Sequence, residues 1–269
     1  SITDPAGGTL SYAYDANGDL VSFTDQESGV TTFTYDGLHN LTSIENPEGK
    51  MPLRSEYYTD GRLKAQVDGE GNRTVYTYDI PARKETVAQA NGHSITYTYD
   101  ARGNVTEEDD SLVGKRTYTY DANNNVLTRV EPNGRRIEFT YDAKGNTLTE
   151  TRYPDGTTPL TRTYTYNSLN QYTSVTEPLG QKILFSYDGD GNLLSKVKKD
   201  SAGAIVSEET WTVDSNGNPL TYTDATARTV SYGYNGFGER VRETDGLGNV
   251  TRYTYDALGN RAAVDENGA

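Results

Sequence analysis

Ile95-Thr96-Tyr97-Thr98-Tyr99-Asp100-Ala101-Arg102-Gly103-Asn104-Val105 carries the fold in miniature. Through Tyr99, apolar or aromatic residues alternate with threonine. That pattern puts rings on one face of a strand and hydroxyls on the other, a period no helix holds. Asp100 then offers a carboxylate to the amides just after it, and Gly103 with Asn104 supplies the positive φ of a tight reversal. Val105 restarts an extended segment.

The stretch recurs along the whole chain. Tyr-Asp pairs stand at Tyr14, Tyr35, Tyr78, Tyr99, Tyr120, Tyr141, Tyr187 and Tyr255, and Tyr58-Thr59-Asp60, Tyr166-Asn167, Val213-Asp214 and Tyr234-Asn235 fill the gaps, making twelve units. Most steps are 21 residues; others run from 20 to 26. A period of this length marks a repeat architecture. Two residues before the marker stands Tyr, Phe or Trp in eleven units, failing only at Glu56. The second strand opens on an apolar residue at Leu20, Leu41, Leu63, Val105, Val126 and Leu193, and on Arg240 and Arg261 elsewhere. A second turn closes each unit, as in Asp4-Pro5-Ala6-Gly7, Glu131-Pro132-Asn133-Gly134, Glu177-Pro178-Leu179-Gly180 and Asp245-Gly246-Leu247-Gly248. Proline presets φ and glycine completes the bend. The longest steps place their extra residues near this turn, at Tyr153–Leu160 and Asp200–Glu208.

Connections this short force consecutive strands to pair antiparallel. The expected fold is all-β, a continuous antiparallel β-hairpin repeat array. Roughly 24 strands at about 4.8 Å give a ribbon on the order of 115 Å. Sheets of that extent curl, so the array is expected to coil, with aromatic rows on the concave face and threonine on the convex one.

Composition narrows the function. The hydrophobic fraction is 33%, against about 45–50% apolar usage in ordinary domains, so a thick core is not expected. The 22 tyrosines point to one systematic use of that residue. A net charge of −14 opposes phosphate backbones and anionic membranes, and the basic clusters Arg135-Arg136 and Lys196, Lys198, Lys199 are too short to reverse it. No nucleic-acid binding and no membrane insertion are therefore expected. The absence of cysteine excludes disulfides and thiolate chemistry. No apolar run is long enough to span a bilayer, and the first residues are not a signal peptide.

The pattern Tyr-x-Tyr-Asp-x-x-Gly-Asn-Leu, followed by Asp/Glu-Pro-x-Gly, resembles the YD repeats of Rhs proteins, Tc-toxin C components and teneurins. The resemblance runs from Asp4-Pro5 to Asp265–Gly268. It implies a spiral β-sheet shell segment, residues 1–269 forming a single array within a longer exported protein, secreted or at the cell surface and bacterial. It also implies partners: neighbouring YD repeats and an enclosed toxin or other polypeptide. The family's self-cleaving segment is not matched, because the last unit stops at Asp265-Glu266-Asn267-Gly268-Ala269.

No catalytic, cofactor or metal residue is assigned. Glu107-Glu108-Asp109-Asp110 reads as a solvated turn, since an acid–base pair needs carboxylates in distinct environments. His39 and His93 read as surface loop residues, each without a second His or a Cys. Asp188-Gly189-Asp190-Gly191-Asn192 lacks the glycine and glutamate positions of an EF-hand, and reads, like Asp15–Asp19 and Asp214–Asn218, as an Asp-stabilised turn. The alternative function is cell-surface adhesion or glycan binding by the aromatic face. Finally, the strands near Thr9–Tyr14 and Asn260–Val264 are expected to be open edges able to self-associate.

Overall fold

Residues 1–4 and 7–267 are described by a computed structural model. The turn residues Pro5 and Ala6, and Gly268 and Ala269 at the other end, lie outside them. Among the described residues there are twenty-five strands, from Ile2–Thr3 to Arg261–Asn267, and no helix. The all-β hairpin array expected from the period is what forms. Two compact units are distinguished, residues 1–120 with 129–134 and residues 121–128 with 135–269. Within each, a strand touches only the strand before it and the strand after it.

The unit of construction is a hairpin with a bulge. Strand Ser94–Tyr99 pairs with Val105–Asp110, Thr98 opposite Glu107 and Tyr99 opposite Val105, so Thr106 is the extra residue. The same shift falls just before the marker residue at Tyr14, Tyr35, Tyr141, Tyr166, Tyr187, Val213, Tyr234 and Tyr255. A bulge bends its strand and increases the local twist. All six apolar residues read as openings of the second strand do open one.

Most turns of both kinds are five-residue loops. In Asp142–Asn146 the Asp142 N–H donates to the Asn146 carbonyl at 2.9 Å, and the Gly145 N–H donates to the Asp142 carbonyl at 3.1 Å. The fourth loop residue must adopt positive φ, which is why glycine dominates there. His39, Asn124, Asn170 and Ala227 occupy the same place at φ 64°, 67°, 63° and 63°.

Several expectations need correction. The third unit's marker is Tyr57, not Tyr58: the bulge and the pairing to Leu63 fall on Tyr57, while Tyr58 takes the place of the aspartate in the loop, its N–H donating to the Arg62 carbonyl at 2.8 Å. The extra residues of Asp200–Glu208 do not all form a loop. Residues 205–208 extend the strand Ile205–Val213, because the preceding strand, Leu193–Lys199, is long enough to pair with them through a further bulge. Glu107–Asp110 is strand rather than turn, with Glu108 opposite Arg116 and Asp109 opposite Lys115. Strand Thr9–Tyr14 is an open edge only in part, since Ile2 and Thr3 pair with Leu10 and Thr9 while, among the described residues, nothing pairs with residues 11–14 on that side.

Almost nothing is fully enclosed. Ala65, Ile137 and Ser55 are the buried side chains among the described residues. The thin-core expectation holds: this is a single layer of sheet whose order comes from neighbour-to-neighbour contacts.

Candidate functional site

The chemistry of the chain is repeated rather than concentrated. On the aromatic face, the marker tyrosines reach back over the preceding hairpin. Tyr57, Tyr78, Tyr120, Tyr141 and Tyr255 donate their hydroxyls to the carbonyls of Leu41, Leu63, Val105, Val126 and Arg240 at 2.9, 2.9, 2.6, 2.7 and 2.9 Å. Tyr166 and Tyr187 do the same to Thr147 and Tyr172 at 2.8 and 2.9 Å. Each acceptor is the residue that opens the previous unit's second strand. Tyr99 differs because the loop before it, Ile80–Arg83, lacks the five-residue form, and its hydroxyl donates to Glu85 Oε2 at 3.0 Å. Burial first, and the Glu85 carboxylate second, push the Tyr99 phenol up to about 12.

A second row lies two residues earlier. Tyr118, Tyr164 and Tyr253 donate to Glu108, Glu150 and Glu243 at 3.4, 3.3 and 3.3 Å. On the opposite face hydroxyls pair across strands: Thr140 with Thr149 at 2.7 Å, Thr212 with Thr221 at 2.7 Å, Ser186 with Ser195 at 2.6 Å. Cross-strand pairs of both kinds contribute about 0.2–1 kcal/mol each.

Along the loops, aspartate carboxylates are fully engaged. Asp142 Oδ1 accepts from the Lys144 and Asn146 amides at 2.8 and 2.9 Å, and its Oδ2 accepts from Asn146 Nδ2 at 2.9 Å. Asp188 repeats this with Asp190 and Asn192, and Asp214 with Asn216 and Asn218. Asp15 Oδ1 accepts from the Asn17 and Asp19 amides, both at 2.9 Å. The Asp-stabilised turn is thus the observed structure at all three stretches singled out above. Successive loops also touch: Lys144 Nζ donates to the Ser168 carbonyl at 3.0 Å and Gln171 Nε2 to the Gly191 carbonyl at 2.7 Å.

These bonds hold the carboxyls below their ordinary range. Asp100 lies at about 2, chiefly through the Asn104 side chain, and Asp224 at about 2, chiefly through the Thr226 hydroxyl. Asp142, Asp188 and Asp245 shift the same way, first through their asparagines. A carboxyl with a lowered folded pKa contributes stability that is complete above its unfolded value, about 3.9, and lost as pH falls through the folded value. The melting temperature, followed by the amide infrared bands, is therefore expected to fall steeply between about pH 4.5 and about pH 2. A flat profile across that window would mean the loops do not need their carboxylates.

The two histidines are not equivalent. His39 is on the surface, its Nδ1 2.8 Å from Asp19 Oδ2 on the neighbouring loop, and that hydrogen bond raises its pKa. His93 is largely covered, its side chain 18% exposed with Nε2 3.0 Å from Asp110 Oδ1, which corrects the surface reading. The distant strand residue Asp110 supplies the cover, and no local signal announces it. Glu107 and Glu108 pair with Lys115 at 2.9 Å and Arg116 at 3.1 Å, and the chain Glu108–Arg116–Glu131 is one ionic row on the sheet. Two of the basic residues are engaged as well: Arg136 with Glu138 and the Tyr153 ring, Lys196 with Glu209.

Sequence reasoning missed the hydroxyl clamp. Its signal was present: phenylalanine stands two before the marker at Phe33, Phe139 and Phe185 but never at the marker itself. Eleven of the twelve markers keep the oxygen, Val213 being the exception.

A recurring hairpin, a bulge beside most marker residues, and a hydroxyl clamp from seven marker tyrosines to the preceding hairpin define a tandem β-hairpin repeat protein. The chain matches the RHS repeat at residues 14–51, 86–112, 120–158, 141–182, 213–250 and 234–269, more than half of its length, and it belongs to that family. No curated protein sequence matches it. Similar solved structures include TcdB2-TccC3, at 14% identity and a TM-score of 0.47 over 96% of this chain and 18% of that one. A Photorhabdus luminescens Tc holotoxin pore matches at 14% identity and a TM-score of 0.45 over the same shares. The chain thus spans under a fifth of the length of these structures' matched chains.

Proposed function

We propose that this array is a non-catalytic wall: a stretch of β-sheet shell, within a longer exported bacterial protein, that encloses a toxin or another polypeptide. Residues 1–269 act in it as one array. The observation that carries the reading is the single layer itself. A hairpin closes its own loop with aspartate, pairs threonines within itself and with the next hairpin, and reaches the preceding hairpin with its marker tyrosine, so repeats can be added without building a core. Membership of the RHS repeat family supports the same reading. Chemistry that recurs along the array suits a wall better than a catalytic centre, which needs groups held in contrasting environments.

The test is photocrosslinking in the full-length protein, with a benzophenone side chain at Tyr97 on the aromatic face or at Thr98 on the other. Crosslinks from position 97 to a segment outside the repeats, and none from position 98, are expected. Equal yields from both faces, or none from either, would overturn the enclosure reading.

A further inference from the structure

One place in the second unit breaks the pattern. Trp211 and Val213 stand where other units carry Tyr and the marker tyrosine, and the next strand opens on Pro219. On the aromatic face here lies a cavity of about 350 Å³ lined by Trp211, Pro219, Tyr222, Tyr232, Tyr234 and Arg240. The Trp211 and Tyr222 rings lie 5.2 Å apart at 31°. The Arg240 guanidinium stands 5.5 Å over the Tyr232 ring, its Nη1 3.3 Å from Glu243 Oε2. Seven marker tyrosines, Tyr120 and Tyr255 among them, give their hydroxyls to the carbonyl that opens the preceding second strand. At Tyr234 that carbonyl belongs to Pro219, and no such bond forms. Among the described residues, Trp211 Nε1 and the hydroxyls of Tyr222, Tyr232 and Tyr234 make no hydrogen bond within the protein.

The lining therefore offers flat apolar rings and a cluster of donors. The indole N–H and the guanidinium donate only, the three phenols donate or accept, and no carboxylate or carboxamide is among the six lining residues. A saccharide would find only phenol oxygens to accept from its hydroxyls and would leave the guanidinium charge unmatched. A cation would meet the guanidinium. The complementary ligand is a flat ring carrying an anionic acceptor, and a cavity of this size is at the lower end of those that hold small molecules.

We propose that this cavity binds a small aromatic carboxylate, the ring stacking on Trp211 and Tyr222 and the carboxylate accepting hydrogen bonds from Arg240 and the neighbouring phenols. Glu243 holds the guanidinium until the ligand arrives, so it competes with the ligand for the same donors.

Trp211 is the chain's single tryptophan, so its fluorescence reports this cavity alone. Benzoate is expected to change the emission saturably. Benzyl alcohol, cyclohexanecarboxylate, glucose and benzyltrimethylammonium should each bind at least about tenfold more weakly, since each lacks the ring, the charge or both. Arg240→Gln should weaken benzoate at least about tenfold. Glu243→Gln, which frees the guanidinium and keeps an oxygen for the Tyr253 hydroxyl, should tighten it. Unchanged infrared amide bands would show that each variant keeps its sheet. The proposal fails if benzoate gives no saturable change, if glucose or benzyl alcohol binds as well, or if Glu243→Gln weakens binding.

Discussion

Tyr120→Ala is expected to lower the unfolding free energy by about 2 kcal/mol, Tyr120→Phe by about 1 kcal/mol, and Thr119→Ala by under about 0.5 kcal/mol. The ring of Tyr120 is half-buried and stacks on Tyr118, the centroids 6.5 Å apart. Burying a side chain of this size completely stabilises by about 1.5–3 kcal/mol, and half of that is at stake here. The hydroxyl adds a hydrogen bond of 2.6 Å to the Val105 carbonyl, with a net contribution of about 0.5–1.5 kcal/mol. Thr119 points to the opposite face and is exposed. Urea denaturation of the three variants separates ring from oxygen. Equal losses at positions 119 and 120 would show that the faces are not differentiated, and a neutral phenylalanine would remove the clamp from the account of stability.

Ile137→Ala should have a comparable or larger effect, about 2–3 kcal/mol, and its reach should be short. Ile137 is 9% exposed, one of the few enclosed side chains, and sits opposite Arg152. Truncating a buried isoleucine costs about 2–5 kcal/mol. The lower part of that range applies because a one-layer sheet can close partly over the gap. Each strand touches only its neighbours within the unit, so the array should respond like a one-dimensional repeat. Hydrogen exchange is expected to accelerate at residues 147–153, which pair with the altered strand, and to stay unchanged at residues 193–199. Uniform acceleration across both segments would mean the unit unfolds as one block.

Most of the fold was legible because two independent periods agree: alternation within strands and the 21-residue recurrence of turns. Where they disagreed, the reading slipped. Tyr57-Tyr58-Thr59-Asp60 offers two tyrosines and displaces the aspartate, and only the bulge decides between them. Glu107–Asp110 looks like a turn because four acids in a row hide the alternation, yet the cations that make it a strand stand on the next one, at Lys115 and Arg116. The environment of His93 is set by Asp110, seventeen residues away. The cavity beside Trp211 was beyond reach for the same reason. It depends on which hydroxyls find acceptors across strands, and local pattern does not carry that.

The tyrosine clamp also has a direction. Tyr57 reaches to Leu41, Tyr78 to Leu63, Tyr120 to Val105, Tyr141 to Val126 and Tyr255 to Arg240. In every case the donor lies later in the chain than the acceptor. A polypeptide leaving the ribosome from its amino terminus therefore finds each carbonyl already in place when the phenol that will latch it emerges. Assembly can proceed hairpin by hairpin at the pace of synthesis, each addition closing on the one before, with no need to wait for a distant partner strand.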